Sequence, residues 1–134
     1  MADEYVRAWL KKVNDDLRAV RALPAVDDPV IAGATHHCQQ AAEKLVKAVL
    51  VAAGRHPPKI HNILALVDSI PADHPLLPVL RPLERFTPYV ALFRYPGAGD
   101  LFDDPPDEPT AAEVASWLAE IESVRAEVER VLIP

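Results

Sequence analysis

The sequence predicts an all-α fold, an up-and-down bundle of about five helices built as a four-helix core plus one short helix. Three observations predict it. Only 4 of the 134 residues are glycine, and Ala, Leu, Val, Glu and Arg dominate a chain that is 50% hydrophobic. Apolar residues recur every three or four positions over several long segments, the period of a helix face. The 14 prolines fall mostly between those segments, where a helix has to stop.

From about Asp3 to Leu23 the apolar positions are Val6, Trp9, Leu10, Val13, Leu17 and Val20, one face of a first helix that Pro24 and the "VDDP" turn end. A second helix is expected from about Pro29 to Ala53, with the stripe Cys38, Ala41, Ala42, Leu45, Val49 and Ala53 and with Gly54 as the residue after its C-cap. Glu43, Lys44 and Lys47 are expected on the opposite, solvent-facing side. After "GRHPPK" a short third helix carries Ile60, Ile63, Leu64, Val67 and Ile70 until "PADHP" breaks it. A fourth, from about Leu76 to Tyr95, carries Leu80, Leu83, Phe86, Val90 and Phe93, and Pro82 and Pro88 are expected to split or kink it. An acidic loop spans 97–109. Thr110 and Glu113 then form a capping box opening the last helix, with Val114, Trp117, Leu118, Ile121, Val124, Val128 and Val131 on one face.

The length fits one domain over residues 1–134. With 20 acidic and 14 basic side chains the net charge is -6, which argues against broad, sequence-blind binding to nucleic acid but leaves room for a small basic site. No stretch approaches the ~20 apolar residues that span a bilayer. The charged start "MADEYVRAWLKK" has no signal-peptide core, and a single cysteine cannot make an internal disulfide, so a cytoplasmic protein with no membrane attachment is expected.

The stretch "THHCQQAAEK" gathers His36, His37, Cys38, Gln39 and Gln40. Consecutive helical side chains diverge by about 100°, so His36, His37 and Cys38 do not converge on one ion, and the positions a turn away, 41 and 42, are Ala. No metal site and no cofactor are expected. Cys38 lies inside the apolar stripe, a place for a small buried hydrophobe rather than a nucleophile. His37 and Gln39 flank the stripe and Gln40 points away from it, placed either to hydrogen-bond between helices or to contact a ligand. In "FRYP", Arg94 offers a planar cation suited to phosphate and Tyr95 an aromatic face on which a base can stack. The alternative places Arg94 against an acidic helix and Tyr95 at a dimer seam.

Four stretches in order, "WLKKVNDDLRAVRAL", "HHCQQAAEKLVKAVLVAAG", "PPKIHNILAL" and "FRYP", resemble the HEPN family (higher eukaryotes and prokaryotes nucleotide-binding domain) over roughly residues 5–131. The resemblance implies a compact helical bundle that dimerises and, in small prokaryotic members, works with a minimal nucleotidyltransferase in a toxin-antitoxin-like pair. Many relatives are metal-independent ribonucleases whose signature is an Arg and, a short spacer later, a His near the start of the late core helix. This chain departs from that signature: Arg81, Arg85 and Arg94 occupy the region, and no histidine follows His74. The one formal match is Arg55 and His61 in "RHPPKIH", which lies between helices two and three, where Arg55 otherwise solvates a helix end and His61 caps the next helix.

The resulting expectation is a dimeric module that binds nucleotide or RNA, a nucleotidyltransferase partner, or both, through Arg94, Tyr95, His37, Gln39 and Gln40, without catalytic residues. The alternatives are an endoribonuclease using Arg55 and His61 and a structural dimer without a ligand. The homodimer is expected because the helices carry more apolar surface than one small bundle hides.

Overall fold

The computed structural model describes residues 2–27, 30–89 and 108–134. Among these every regular element is helical, in the order α1 (Ala2–Ala22), α2 (Ile31–Ala52), α3 (Ile63–Asp68), α4 (Leu77–Leu80, continued by a 3-10 helix Arg81–Phe86) and α5 (Ala111–Leu132). The all-α bundle read from the sequence is the fold.

Helix α1 buries Val6, Leu10, Val13, Leu17 and Val20. Asp3 and Glu4 in its first turn and Arg21 in its last complement the helix dipole. A 3-10 turn, Leu23–Ala25, holds Pro24 and ends the run. Helix α2 is the axis of the molecule, packed against α1, α3, the 3-10 helix and α5. That wrapping overturns the expected outward face: Glu43 is 3% and Lys47 7% exposed, so the two charges lie inside the fold. Thr35, also buried, is satisfied by donating to the Ile31 carbonyl at 2.8 Å. The helix stops where expected. Gly54 takes φ 77°, its N–H donates to the Val51 carbonyl at 3.0 Å, and the Arg55 N–H donates to Leu50 at 2.9 Å. Those two bonds are a Schellman cap, whose left-handed residue favours glycine.

Helix α3 begins later than the apolar pattern suggested, and Ile60 precedes it. Its N-cap is Asn62, whose Oδ1 accepts from the Ala65 N–H at 3.1 Å. His61 therefore does not cap it, contrary to expectation. The fourth segment splits at Pro82, which lacks the N–H an α-helix needs there. The chain tightens into 3-10 form, in which every third residue shares a face, and Leu80, Leu83 and Phe86 are all fully buried. The rest of the expected fourth helix beyond Tyr89, and most of the acidic loop, lie outside the described residues.

Helix α5 opens with the capping box: Thr110 Oγ1 accepts from the Glu113 N–H and Glu113 Oε1 from the Thr110 N–H, each at 3.1 Å. Trp117 meets Phe86 edge-on with ring centroids 5.4 Å apart and Tyr89 at 5.3 Å. Arg85 forks onto the Glu120 carboxylate, which raises the arginine pKa further and ties the 3-10 helix to α5. No helix among the described residues is long and apolar enough to cross a membrane.

Candidate functional site

Two polar clusters branch from α2 in the middle of the bundle. The first lies on the seam with α1. Asp16, 5% exposed, takes the place of an apolar residue between Val13 and Val20 on the α1 core face. Its Oδ1 accepts from His37 Nδ1 at 2.7 Å and its Oδ2 from Lys44 Nζ at 2.7 Å. Because a carboxylate only accepts, the proton of this contact is on His37 Nδ1, and the ring is partly exposed. His36 stands edge-on to that ring, with centroids 5.4 Å apart.

The second cluster centres on Glu43. Its Oε1 accepts from Gln39 Nε2 at 2.9 Å and from His61 Nδ1 at 2.9 Å, and its Oε2 accepts from Lys47 Nζ at 3.1 Å. Gln40 extends the chain by donating from Nε2 to Gln39 Oε1 at 2.7 Å. Three donors on one buried carboxylate compensate its loss of water, which an isolated charge does not survive. Lys47 Nζ also stands 5.9 Å from the centroid of the Trp9 ring, so the cluster reaches α1.

Beside Trp9 the surface opens into a cavity of about 450 Å³ lined by Tyr5, Trp9, Val51, Gly54, Arg55, His56 and Pro57. Tyr5 and Trp9 share a flank of α1 one turn apart. The Schellman cap swings the chain so that Arg55, His56 and Pro57 form the opposite wall. Two aromatic side chains therefore line one cavity with a permanent cation that makes no ion pair among the described residues. Such a pocket suits a flat ring carrying an anionic group.

The residues singled out from sequence are thus divided. Gln39 and His61 meet at Glu43 and Gln40 joins through Gln39, which is fully buried and committed to the network. His37 belongs to the separate Asp16 cluster, and Arg55 borders the cavity. Arg94 and Tyr95 lie outside the described residues. Asp16, Glu43, Lys47 and the Tyr5–Trp9 wall were missed. A charge interrupting the α1 stripe at Asp16, and the Glu43–Lys47 spacing of four, were signals in the sequence.

Cys38 is buried, and that burial pushes its thiol pKa up to about 12. Desolvation disfavours the thiolate, so this sulfur is packing rather than chemistry. Among the described residues no three His, Cys, Asp or Glu side chains converge to hold a metal ion.

The HEPN domain model matches residues 6–131. Among solved structures, the crystal structure of TT1696 from Thermus thermophilus is similar at 27% identity and a TM-score of 0.65, covering 93% of this chain and 96% of that one. No curated protein matches the chain.

Proposed function

The chain belongs to the HEPN family, and from that premise we propose that it is a cytoplasmic nucleotide- or RNA-binding module, acting as a homodimer beside a minimal nucleotidyltransferase in a toxin-antitoxin-like pair. The observation that carries this reading is the cavity between Tyr5–Trp9 and Arg55–His56, which pairs stacking surfaces with a cation. A base stacks on the α1 aromatics while Arg55 takes the phosphate. The buried Glu43 network holds Lys47 beside Trp9 and anchors His61, so Gln39 and Gln40 act as supports, and His37 has the same role at the Asp16 seam. Arg94 and Tyr95 are proposed as a further phosphate and base contact. Exposed Ile60 and Leu64, which lie close together in the chain, are apolar surface available to a second copy.

The test is calorimetric titration of a mononucleotide. Arg55→Ala should weaken binding about ten- to a hundredfold, the usual effect of losing one charge-assisted contact. Tyr5→Ala should weaken it through lost stacking. Wild-type affinity in both variants rejects the pocket. Light scattering that gives a monomer mass at micromolar concentration rejects the dimer.

One observation favours a second, enzymatic reading. Glu43 holds His61 by Nδ1, leaving Nε2 available on a ring whose side chain is 46% exposed, and Arg55 precedes it on the same segment. In that reading Nε2 takes the proton of an RNA 2′-hydroxyl as its oxygen attacks the adjacent phosphate. Arg55 stabilises the charge that develops, and the proton taken up by Nε2 passes to the departing 5′-oxygen, leaving a 2′,3′-cyclic phosphate and a 5′-hydroxyl. The binding-module reading expects single-stranded RNA to stay intact in EDTA. Metal-independent cutting abolished by both His61→Ala and Arg55→Ala replaces it with this one.

A further inference from the structure

On the other flank of α1 the bundle carries a second recess that the reading above does not use. Two cavities, of about 370 and 180 Å³, lie between α1 and α5. Asn14 and Arg125 line both, so they form one continuous groove. Its α1 wall presents Arg7, Lys11, Asn14, Arg18 and Arg21, successive positions of one helical stripe. At about 100° per residue this stripe lies across the core face from Tyr5 and Trp9, so the groove is separate from the aromatic cavity.

The groove is positive although the chain is not. Its two carboxylates are already engaged: Glu122 pairs with Arg21, and Glu129 pairs with Arg125 at 3.3 Å. Arg7, Lys11 and Arg18 make no ion pair among the described residues, which leaves three unneutralised cations along one wall of a chain whose net charge is -6. Arg125, which lines both cavities, has its Nε buried with no hydrogen-bond partner among the described residues.

We propose that the α1–α5 groove is a track for the phosphodiester backbone of single-stranded RNA. Length selects the ligand class. Arg7 and Arg18 are eleven residues apart on α1, about 16 Å along the helix axis. One mononucleotide phosphate cannot serve both ends, whereas successive phosphates of a strand can. Cations without aromatic neighbours fit backbone tracking rather than base reading. The proposal rests on the reading of this protein as a nucleotide- or RNA-binding module and gives it a second, polymer-selective site.

The experiment measures fluorescence anisotropy of a labelled twelve-nucleotide oligouridylate across a salt series, with AMP titrated separately by calorimetry. Replacing three exposed cations, Arg7→Gln, Lys11→Gln and Arg18→Gln together, should weaken oligonucleotide binding about ten- to a hundredfold. Each lost phosphate contact lowers the salt slope by about 0.7, so the slope should fall by about 2. Asn14→Asp, nearly isosteric, should weaken binding in the same direction, and Lys59→Gln outside the groove should not. AMP binding should be unchanged in the triple variant. Wild-type oligonucleotide affinity and slope in that variant overturn the groove, as does a wild type that binds no oligonucleotide. Competition by polyglutamate as effective as by RNA overturns it in favour of an acidic protein partner. Failure of AMP to bind, with the oligonucleotide results as expected, leaves the groove standing and removes only the aromatic pocket.

Discussion

His61 donates from Nδ1 to Glu43 Oε1 at 2.9 Å, which pins the segment entering α3 to the middle of α2. The same carboxylate neutralises Lys47, whose Nζ stands 5.9 Å from the Trp9 ring centroid, so one buried group ties α2 to the segment entering α3 and reaches α1 through Lys47.

Glu43→Ala should therefore be among the costlier single changes. It leaves the Lys47 ammonium buried without its carboxylate, a loss of about 3–5 kcal/mol. In a domain of this size that is a drop in thermal midpoint on the order of 10 °C. His61→Ala, at a half-exposed position, should cost about 1 kcal/mol. Equal midpoints for Glu43→Ala and wild type in a thermal melt would show that the network carries no stability.

Cys38 should resist alkylation in the folded protein at pH 8 and react only at the rate of unfolding. The pH dependence has a definite sign. Burial raises its pKa from 9.0 to about 12, so the unfolded chain loses this proton first. The contribution is complete below about pH 9 and is lost as pH rises towards 12. Cys38→Ala should flatten the decline in denaturant midpoint over that window. A prompt reaction with a thiol reagent under native conditions contradicts the burial.

Gly54→Ala isolates backbone strain. A Cβ at Gly54 meets nothing within 4 Å, so its φ of 77° is the only obstacle. The expected loss is about 1 kcal/mol, with Gly54→Asn milder, because asparagine tolerates the left-handed region. Denaturant midpoints of the two variants decide it, and a stabilised Gly54→Ala protein would contradict the cap.

Chelation by EDTA should leave the melting temperature where it is, since no three ligand side chains converge among the described residues. A midpoint that falls in EDTA and returns with zinc revives the His36–Cys38 cluster.

Much of the fold was legible because its signals are local. The α1 stripe, the Thr110–Glu113 box and the Gly54 stop depend on residues a few positions apart, and each stands where the pattern put it. Glu43 and Lys47 were misjudged because a helical wheel assumes one buried face, and α2 is covered on nearly all sides. The cap of α3 is Asn62, the residue type that N-caps favour, and His61 is drawn away by Glu43, a partner distant in sequence that the local pattern does not reveal. Pro82 announced a break but not its form, a 3-10 helix that keeps Leu80, Leu83 and Phe86 in line. The Tyr5–Trp9 cavity needed the opposite wall, which is distant in sequence, before it could be recognised.

The central position of α2 also bears on how quickly the chain reaches its fold. Its most extensive partner is α1, the helix immediately before it, separated by only the few residues between Ala22 and Ile31. Contacts between sequence neighbours close short loops and form at small entropic cost. The α1–α2 hairpin should be assembled in the transition state, with α5, which comes far later in the chain, docking afterwards. Val13→Ala, on the α1 core face, should then slow refolding in stopped-flow measurements, whereas Val128→Ala on α5 should chiefly hasten unfolding. A helix against which α1, α3, the 3-10 helix and α5 all pack is thus also the template on which they arrive.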